Sequence, residues 1–215
     1  MGQAAEVSTE SLAAAIASLA KDFDLRAAIS EKTRQVVDWQ GAQRVVNSMQ
    51  KPSTGELKLR PVAFEDCRLL WEWANDPAVR AASFSTERIP WDDHLSWFRR
   101  KVSEPGSHYY IIVLSHNDFP MGQVRFDSMG NEAEIHISIA SDLHGHGYGS
   151  QAILMASNHL FEETMITRIY ANIKPDNSNS VRAFANAGFK PDGNVKIVKG
   201  HKAVQMVLDK NAIDP

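Results

Sequence analysis

The sequence is most informative between Glu134 and Ser150, where it reads EIHISIASDLHGHGYGS. The first half alternates apolar and polar residues, which is the pattern of a strand with one buried face. The second half has glycine at three alternate positions and leads into an amphipathic run that ends near Glu163 and predicts a helix. Glycines let the backbone approach a ligand closely, and the first amides of a helix attract anions. The segment therefore predicts a loop that binds a diphosphate.

Other glycine-rich loops differ from this one in their spacing. A dinucleotide-binding loop has the pattern G-x-G-x-x-G and an acidic residue about 20 positions later, whereas this loop has G-x-G-x-G and follows antiparallel strands. A P-loop requires Gly-Lys-Ser/Thr, which the stretch lacks. The alternative without a ligand is a tight turn with helix-capping glycines. Three alternating glycines argue against that alternative, since each loses more conformational entropy on folding than another residue would.

The flanking residues complete a mixed α/β pattern. Strands are predicted at residues 57–62, 109–114, 122–127, 134–140, 169–173, 195–198 and 203–208, with an antiparallel turn at 127–131 and a terminal hairpin around Gly200-His201. Helices are predicted at residues 65–73, 91–102, 147–163 and 178–187. In the third of these helices, the residues expected to face inward are Ile153, Leu154, Ala156, Leu160 and Phe161.

The first 52 residues have a different character, because they predict helices and no strands. The helices have narrow apolar faces, so we expect them to pack on the following domain or on a partner chain. The sequence KPSTG at residues 51–55 has the composition of a linker. The expected organisation is a helical extension over residues 1–52 and one α/β domain over residues 56–211.

The composition excludes several classes of protein. A formal net charge of −3 gives no basic surface for nucleic acid and no special affinity for a membrane. No segment approaches the roughly 20 apolar residues of a membrane span, and the N-terminus lacks a secretory pattern. Cys67 is the single cysteine and excludes an intrachain disulfide. We therefore expect a cytoplasmic protein in which Cys67 is a packed thiol rather than a nucleophile.

Two motifs carry a resemblance to a known family. His144 to Gly149 resembles the acetyl-CoA signature of the GNAT superfamily, Arg/Gln-x-x-Gly-x-Gly/Ala, with His144 as a departure. Residues 177–189, NSNSVRAFANAGF, resemble the Asn-x-x-Ser … Gly-Phe block of the same superfamily. The resemblance implies an N-acetyltransferase with a mixed, mostly antiparallel sheet flanked by helices. It also implies acetyl-CoA as co-substrate and no metal.

The same resemblance implies which residues meet acetyl-CoA. Backbone amides of the loop would bind the diphosphate, the preceding strand would border the acetyl group, and Asn177 and Ser180 would meet the CoA arm. Capping of the following helix is the alternative role of Asn177 and Ser180, and the two roles are compatible. The expected cofactor-binding residues are Ile137, Ser138, Ile139, His144, Gly145, His146, Gly147, Tyr148, Gly149, Ser150, Asn177 and Ser180.

A narrower resemblance concerns the acceptor. WEWANDPAVR at residues 71–80 and IPWDDHLSWF at residues 89–98 resemble the amino-sugar branch, which acetylates 4-amino nucleotide sugars in pseudaminic acid biosynthesis. Aromatic faces suit sugar rings, and guanidinium groups pair with phosphates. Core packing of the tryptophans and structural ion pairs of the arginines are equally compatible with the pattern. The expected substrate-binding residues are Trp73, Asn75, Arg80, His94, Trp97 and Arg125.

The N-terminal segment carries a shorter resemblance. Residues 30–45, SEKTRQVVDWQGAQRV, are similar to the closing segment of the nucleotide-sugar hydrolase of that pathway, with Trp39 in place of a glycine. The chain thus resembles the tail of a fused hydrolase followed by a whole acetyltransferase. No hydrolase activity is expected, because the catalytic part of that enzyme is missing. An unrelated helical extension is the alternative.

Direct acetyl transfer to an amine requires a base, because a protonated amine is not a nucleophile. Glu134, His136 and Ser138 alternate and so share one strand face, which makes Glu134 and His136 the candidate bases. Many family members have a tyrosine as acid where this chain has Phe184. The acid is therefore expected to be another tyrosine, Tyr148 or Tyr170, or water. The N–H of Ile137 or Ile139 would polarise the thioester carbonyl.

Two other functions stay open on the sequence alone. The acceptor could be a protein N-terminus, a ribosomal protein or a drug instead of a nucleotide sugar. Because Phe184 replaces the usual acid, the chain could also be a non-catalytic module that binds acyl-CoA. A homodimer through the N-terminal helices or the terminal hairpin is an open option as well.

Overall fold

The computed structural model describes residues 13–14, 16–17, 22, 55–104 and 106–212. Its contacts divide the chain into two units, Met1–Thr54 and Gly55–Pro215. In the first unit, residues 13–14 and 16–17 are helical, in line with the first predicted helix. The later predicted N-terminal helices, linker residues 51–54 and the hydrolase-like segment at residues 30–45 lie outside the described residues.

The second unit alternates strands and helices in the predicted order. Its strands are β1 (Leu57–Pro61), β2 (His108–Leu114), β3 (Pro120–Met129), β4 (Glu132–Ile139), β5 (Arg168–Ile173), β6 (Lys190–Val198) and β7 (His201–Asp209). Its helices are α1 (Cys67–Ala74), α2 (Pro77–Ala82), α3 (Trp91–Val102), α4 (Tyr148–Glu163) and α5 (Ser178–Asn186). None of the helices in the described part of the chain is both long enough and apolar enough to span a membrane.

The strands form one seven-stranded sheet in the order β1-β2-β3-β4-β5-β7-β6. Its adjacent strands are antiparallel except β4 and β5, which are parallel. This parallel pair needs a crossover, and α4 supplies it. The mixed, mostly antiparallel sheet that the sequence predicted is confirmed.

Helices cover the two faces of the sheet unequally. Ile112 and Val124 lie in a cluster with Ile153 and Leu160 of α4. Ile111 is next to Ile112 and points to the other face, where it packs with residues of α1 and α3. This second cluster involves β2 and does not include β4, β5 or β7. The outer half of that face is therefore available for polar side chains.

Two sequence predictions fail at the helices. Leu154 was expected to face inward, but it is 41% exposed, because it lies on the side of α4 away from buried Ile153 and Ala156.

Helix α2 was missed, since Asp76-Pro77 was interpreted only as the end of α1. In the structure Asp76 accepts hydrogen bonds from the N–H groups of Ala78 and Val79, and so starts a new helix with proline at its first turn.

The structure confirms that Cys67 is a packed thiol. Its side chain is 5% exposed in the cluster under α1 and α3, and burial raises the pKa of the thiol. A protonated, packed thiol is a poor nucleophile.

Candidate active site

Strands β4 and β5 separate before they end. Their parallel pairing runs only to Glu134 opposite Tyr170, whereas β4 continues to Ile139 and β5 to Ile173. On its other edge β4 stays paired with β3 as far as Ile139. The second half of β4 therefore has one edge that faces a gap in the sheet.

Two backbone amides of β4 point into this gap. The Ala140 N–H donates to the Met121 carbonyl of β3 at 2.9 Å, and the N–H groups of a strand alternate between its two edges. The N–H groups of Ile137 and Ile139 therefore face the gap. So does the Ile139 carbonyl, which the His144 Nε2 contacts at 2.9 Å. These are the two amides that the sequence predicted as donors to a thioester carbonyl oxygen.

The loop from β4 to α4 is built on left-handed glycines. Gly145 and Gly147 both have a φ of +82°, where a residue with a side chain is strained. Apart from the adjoining residues, no atom of the described chain lies within 4 Å of a Cβ placed on either glycine, so the space beside them is open. Gly147 is the N-cap of α4 and has no side chain to cap its first turn, so the positive end of the helix is available to an anion. The arrangement fits the diphosphate of coenzyme A.

The second family motif lies beside this loop, at the start of α5. The Asn177 side-chain oxygen accepts a hydrogen bond from the Ser180 N–H at 3.1 Å, so the capping role is present. A Cβ on Gly149 would lie 3.7 Å from the Cβ of Ala183 in α5. The loop, the first turn of α4 and α5 are therefore adjacent.

Polar side chains of β3 and β4 share the sheet face opposite α4. Arg125 is paired with His136, and Asp127 with Glu134, so these four side chains project together. The His136 Nε2 lies 3.1 Å from Asp127 Oδ2 and 4.0 Å from Glu134 Oε2. The structure thus brings the two predicted bases together and places an imidazole between two carboxylates.

Asp127 is stabilised in its ionised form by three neighbouring side chains. Its pKa lies well below the ordinary value, firstly because His136 hydrogen-bonds to it and further because Arg125 and Lys101 are close. Arg125 Nη2 lies 3.0 Å from Asp127 Oδ2, and Lys101 Nζ lies 3.0 Å from Oδ1. Asp127 therefore anchors His136 through Nε2. Nδ1 is then the ring nitrogen that can accept a proton.

Glu134 is held by a different set of neighbours. Asn172 Nδ2 donates to Glu134 Oε1 at 2.9 Å, and Gln205 Nε2 donates to Asn172 Oδ1 at 3.2 Å. These residues belong to β4, β5 and β7, so a row of side-chain hydrogen bonds crosses three strands.

The candidate acids differ in their surroundings. Tyr170 is paired with Glu134 on the polar face, and its pKa is raised by burial and then by the negative charge of Glu134. Tyr148 is buried at the start of α4, and burial raises its pKa. Phe184 is buried in the main core. A raised pKa keeps a phenol protonated, as a proton donor must be.

Three predicted substrate residues take part in the packing of α1 against α3. The His94 Nε2 lies 3.1 Å from the Cys67 carbonyl. His94 is only 4% exposed, and burial lowers its pKa, so it offers almost no surface to a substrate. Asn75 Oδ1 accepts a hydrogen bond from the Ile89 N–H at 2.7 Å. Trp73 packs against the helix cluster.

The two predicted phosphate-binding arginines already have partners. Arg80 Nη1 donates to the Ser85 carbonyl at 3.1 Å and so braces the loop after α2. Arg125 pairs with Asp127 and lies 5.1 Å from the ring centre of Trp97. The structure therefore brings Trp97 and Arg125 to the polar face beside the candidate bases.

The segment around α2 is tied to the ends of β4 and β5. Ser141 Oγ donates to Asp76 Oδ2 at 2.8 Å, and Lys174 Nζ donates to the Ala81 carbonyl at 2.9 Å. These contacts place the 71–80 motif at the rim of the gap.

A cavity of about 300 Å³ opens on the polar face between β5, β7 and β6. Its lining is mainly polar and charged: Glu132, Arg168, Tyr170, Asn172, Lys196, Ile197, Val198 and Gln205. Within residues 55–104 and 106–212, and the few described before them, no group of three or more His, Cys, Asp and Glu side chains is arranged to hold a metal ion.

Three site residues, Asp127, Asn172 and Gln205, were not predicted from the sequence. Asp127 had a detectable signal, because it continues the alternation of Gln123 and Arg125 across the turn from Glu134. Asn172 and Gln205 had none, because their contacts depend on the register of strands far apart in sequence.

Comparisons with known proteins agree with this geometry. The sequence model of the family described as Acetyltransferase (GNAT) domain matches residues 56–190. An uncharacterized N-acetyltransferase p20 of Bacillus licheniformis is 23% identical over 146 residues, which are 65% of this chain and 82% of the relative. Spermidine N(1)-acetyltransferase of Escherichia coli K12 is 19% identical over 143 residues, 66% of this chain and 77% of that enzyme.

Solved structures share the fold. Aminoglycoside acetyltransferase AAC(6')-Ib with coenzyme A has a TM-score of 0.65 at 21% identity, over 74% of this chain and 98% of that one. Spermidine N-acetyltransferase of Vibrio cholerae with CoA and spermine has a TM-score of 0.65 at 18% identity, over 73% and 96% of the two chains.

Proposed function

The chain belongs to the GNAT acetyltransferase family, and on that premise we propose that this acetyl-CoA-dependent N-acetyltransferase modifies a primary amine of a small molecule on its polar sheet face. One observation carries the proposal: β4 combines three features of such a site. Its edge presents the amides of Ile137 and Ile139 to the gap, its end leads into the glycine loop, and its polar face holds His136 between Asp127 and Glu134.

The chemistry follows from this arrangement. Acetyl-CoA supplies the activated acyl group. His136 Nδ1 accepts the proton of the acceptor ammonium, while Asp127 stabilises the imidazolium that forms. Glu134 attracts the incoming ammonium, and it is the second candidate base. The Ile137 and Ile139 amides stabilise negative charge on the carbonyl oxygen. Tyr170 and Tyr148 are the candidate donors to the leaving thiolate, with water as the alternative.

The acceptor predicted by the sequence is the 4-amino group of a nucleotide-linked deoxy amino sugar, as in pseudaminic acid biosynthesis. The motifs at residues 71–80 and 89–98 support it, together with Trp97 beside the polar face. A nucleotide diphosphate requires cationic partners. Binding it would require Arg125 to share its contact with Asp127, or Arg80 to release the loop that it braces.

A polycationic amine is the second candidate acceptor, and the charges around the cavity favour it. Arg168 is surrounded by three carboxylates, at 3.8 Å from Glu132, 3.0 Å from Asp192 and 3.1 Å from Asp209. The cavity lining also contains Lys196, so these three acids together with Glu134 are four carboxylates next to two cations, Arg168 and Lys196. An acceptor with several ammonium groups would be attracted by this surplus. Two relatives are named as spermidine acetyltransferases, which supports the same candidate.

A panel of amines would identify the acceptor. It would contain UDP-, CMP- and GDP-linked amino sugars, spermidine and an aminoglycoside, each with acetyl-CoA, and the readouts would be free thiol and product mass. Turnover of one class only would choose between the two acceptors. Thermal stabilisation by acetyl-CoA without turnover of any amine would favour the non-catalytic alternative. A catalysed acetylation of a protein N-terminus would favour the peptide alternative.

The sequence also predicted the domain organisation, the location and the oligomeric state of the protein. We propose that residues 1–52 form a helical extension related to the hydrolase tail and that residues 56–211 form the catalytic domain. A cytoplasmic location and a homodimer belong to the same proposal. Light scattering of the purified full chain measures the oligomeric state directly.

A further inference from the structure

A side-chain bridge spans β4 and β5 where their backbones have separated. The backbone pairing of the two strands ends at Glu134 and Tyr170. Asn172 lies two residues further along β5, and its Nδ2 still reaches Glu134 Oε1 at 2.9 Å. A hydrogen bond to a carboxylate is stronger than one between neutral groups. The Glu134 side chain is therefore held across the mouth of the gap.

The second half of the bridge fixes the orientation of the Asn172 amide. Asn172 and Gln205 are directly paired in the β5–β7 register, and Gln205 Nε2 donates to Asn172 Oδ1 at 3.2 Å. With its oxygen engaged by Gln205, Asn172 directs its NH₂ group to Glu134. Reversing the amide would set oxygen against oxygen at one contact and nitrogen against nitrogen at the other.

We propose that Asn172 is a positioning residue for acetyl transfer, and that Gln205 orients it in turn. The bridge holds Oε1 of Glu134 on the β5 side, so that Oε2 stays on the side of His136, at 4.0 Å from Nε2. The two proton-accepting groups then face the incoming amine from fixed positions. This proposal rests on the proposed function, because it assigns Asn172 an effect only through Glu134.

The position of the cavity indicates the side from which an acceptor would reach Glu134. Asn172 and Gln205 both line the cavity between β5, β7 and β6, whereas Glu134 lies at its edge toward β4. An acceptor in the cavity would therefore pass the Asn172 and Gln205 side chains to reach Glu134. Replacing the bridge should affect the acceptor more than acetyl-CoA, which is expected on the loop side of β4.

The most informative variant is Asn172→Asp, which preserves shape and removes the donor. A carboxylate next to Glu134 repels it and can share a proton with it. We expect kcat/KM for the acceptor to fall by roughly 10- to 100-fold near neutral pH, as loss of a hydrogen bond to a charged group predicts. The acid limb of the pH profile should move to higher pH, while KM for acetyl-CoA changes by less than about twofold. Asn117→Asp, in the turn between β2 and β3, is the matched control for the added charge.

A double-mutant cycle shows whether Asn172 acts through Glu134. In the Glu134→Gln background, the new amide can donate to Asp at position 172, so the contact is restored with its polarity reversed. We expect Asn172→Asp to change kcat/KM by less than about twofold in that background. An equal loss in both backgrounds would overturn the proposal, and so would an unchanged pH profile in the single variant.

The outcome for Glu134→Gln alone separates this proposal from the proposed function. If that variant keeps the wild-type kcat/KM, the role of Glu134 in the reaction is wrong. If it loses activity while Asn172→Asp does not, only the positioning role is wrong. Thermal unfolding of each variant shows whether any loss comes from a misfolded site.

Discussion

The two halves of one sheet face are used in opposite ways. On β2, Tyr109, Ile111 and Val113 are buried under α1 and α3. On β3 and β4, the same alternation places Arg125 and His136 outside this apolar cluster, on what we call the uncovered half, which only the polar edge of α3 reaches among the described helices. Alternation alone does not decide which half is core, since it only sorts residues between two faces. The helical cover makes one half a stabilising core and leaves the other half free for chemistry.

The largest loss of activity is expected from a substitution on the uncovered half. His136→Ala removes the candidate base and should lower kcat/KM by roughly 100- to 10,000-fold, as is usual for general-base residues. Its unfolding temperature should stay near that of the wild type, because His136 is not part of either apolar cluster. His116→Ala, an exposed histidine in the β2–β3 turn, is the control. Near wild-type rates for His136→Ala would remove it as the base.

The covered half should respond in the opposite way. Phe98 of α3 has 0% exposure where the helix packs on β2, and Phe98→Ala should lower the free energy of unfolding by about 3–5 kcal/mol through lost burial and a cavity. The folded fraction should keep most of its kcat. Chemical denaturation measures the first effect, and kinetics at low temperature measure the second. A large loss of kcat without a loss of stability would contradict the division between the halves.

Acid pH should affect the uncovered half through Asp127. Because the pKa of Asp127 is depressed in the folded protein, its ion pairs contribute stability above the ordinary carboxylate pKa of about 4, and this stability is lost as the pH falls through the folded value. Asp127→Asn should therefore cost about 1 kcal/mol or less near neutral pH, since the group is partly exposed. The difference should shrink as the pH is lowered. A difference that stays constant with pH would show that the charge of Asp127 is not involved.

The smallest effect on activity is expected from removing the N-terminal unit. A chain that begins at Gly55 keeps the whole second unit and should retain kcat/KM within about twofold if that unit folds as a domain. Circular dichroism and the thiol-release assay test this expectation. Loss of folding would show that the N-terminal unit is needed for stability.

The sequence predicted most of the fold because the strong local signals agree with it. Helix α3 has the predicted bounds, with acidic residues in its first turn and basic residues in its last turn. Helix α2 was missed because six residues are too few for a period to show. Leu154 was assigned to the wrong side because α4 is apolar over a wide arc, which blurs its inner face.

The candidate site was predictable only where it is local in sequence. Glu134, His136 and the glycine loop lie in one short stretch, so alternation and spacing located them. The Asn172 and Gln205 bridge depends on the pairing of β5 with β7 and on the separation of β4 from β5. No local pattern contains this information. Burial of His94 likewise depends on how α3 packs against α1.

A calorimetric titration of acetyl-CoA into the wild type, Gly147→Val and Gly106→Val shows whether the glycine loop binds the coenzyme. Gly147 and Gly106 both have positive φ, at +82° and +73°, with open space beside them, so valine strains each backbone in a similar way. We expect binding to the wild type and Gly106→Val, and binding weakened by roughly 5- to 30-fold in Gly147→Val, as a backbone strain of about 1–2 kcal/mol predicts. No binding by the wild type, or equal affinities in all three proteins, would mean that the loop is not the acetyl-CoA site.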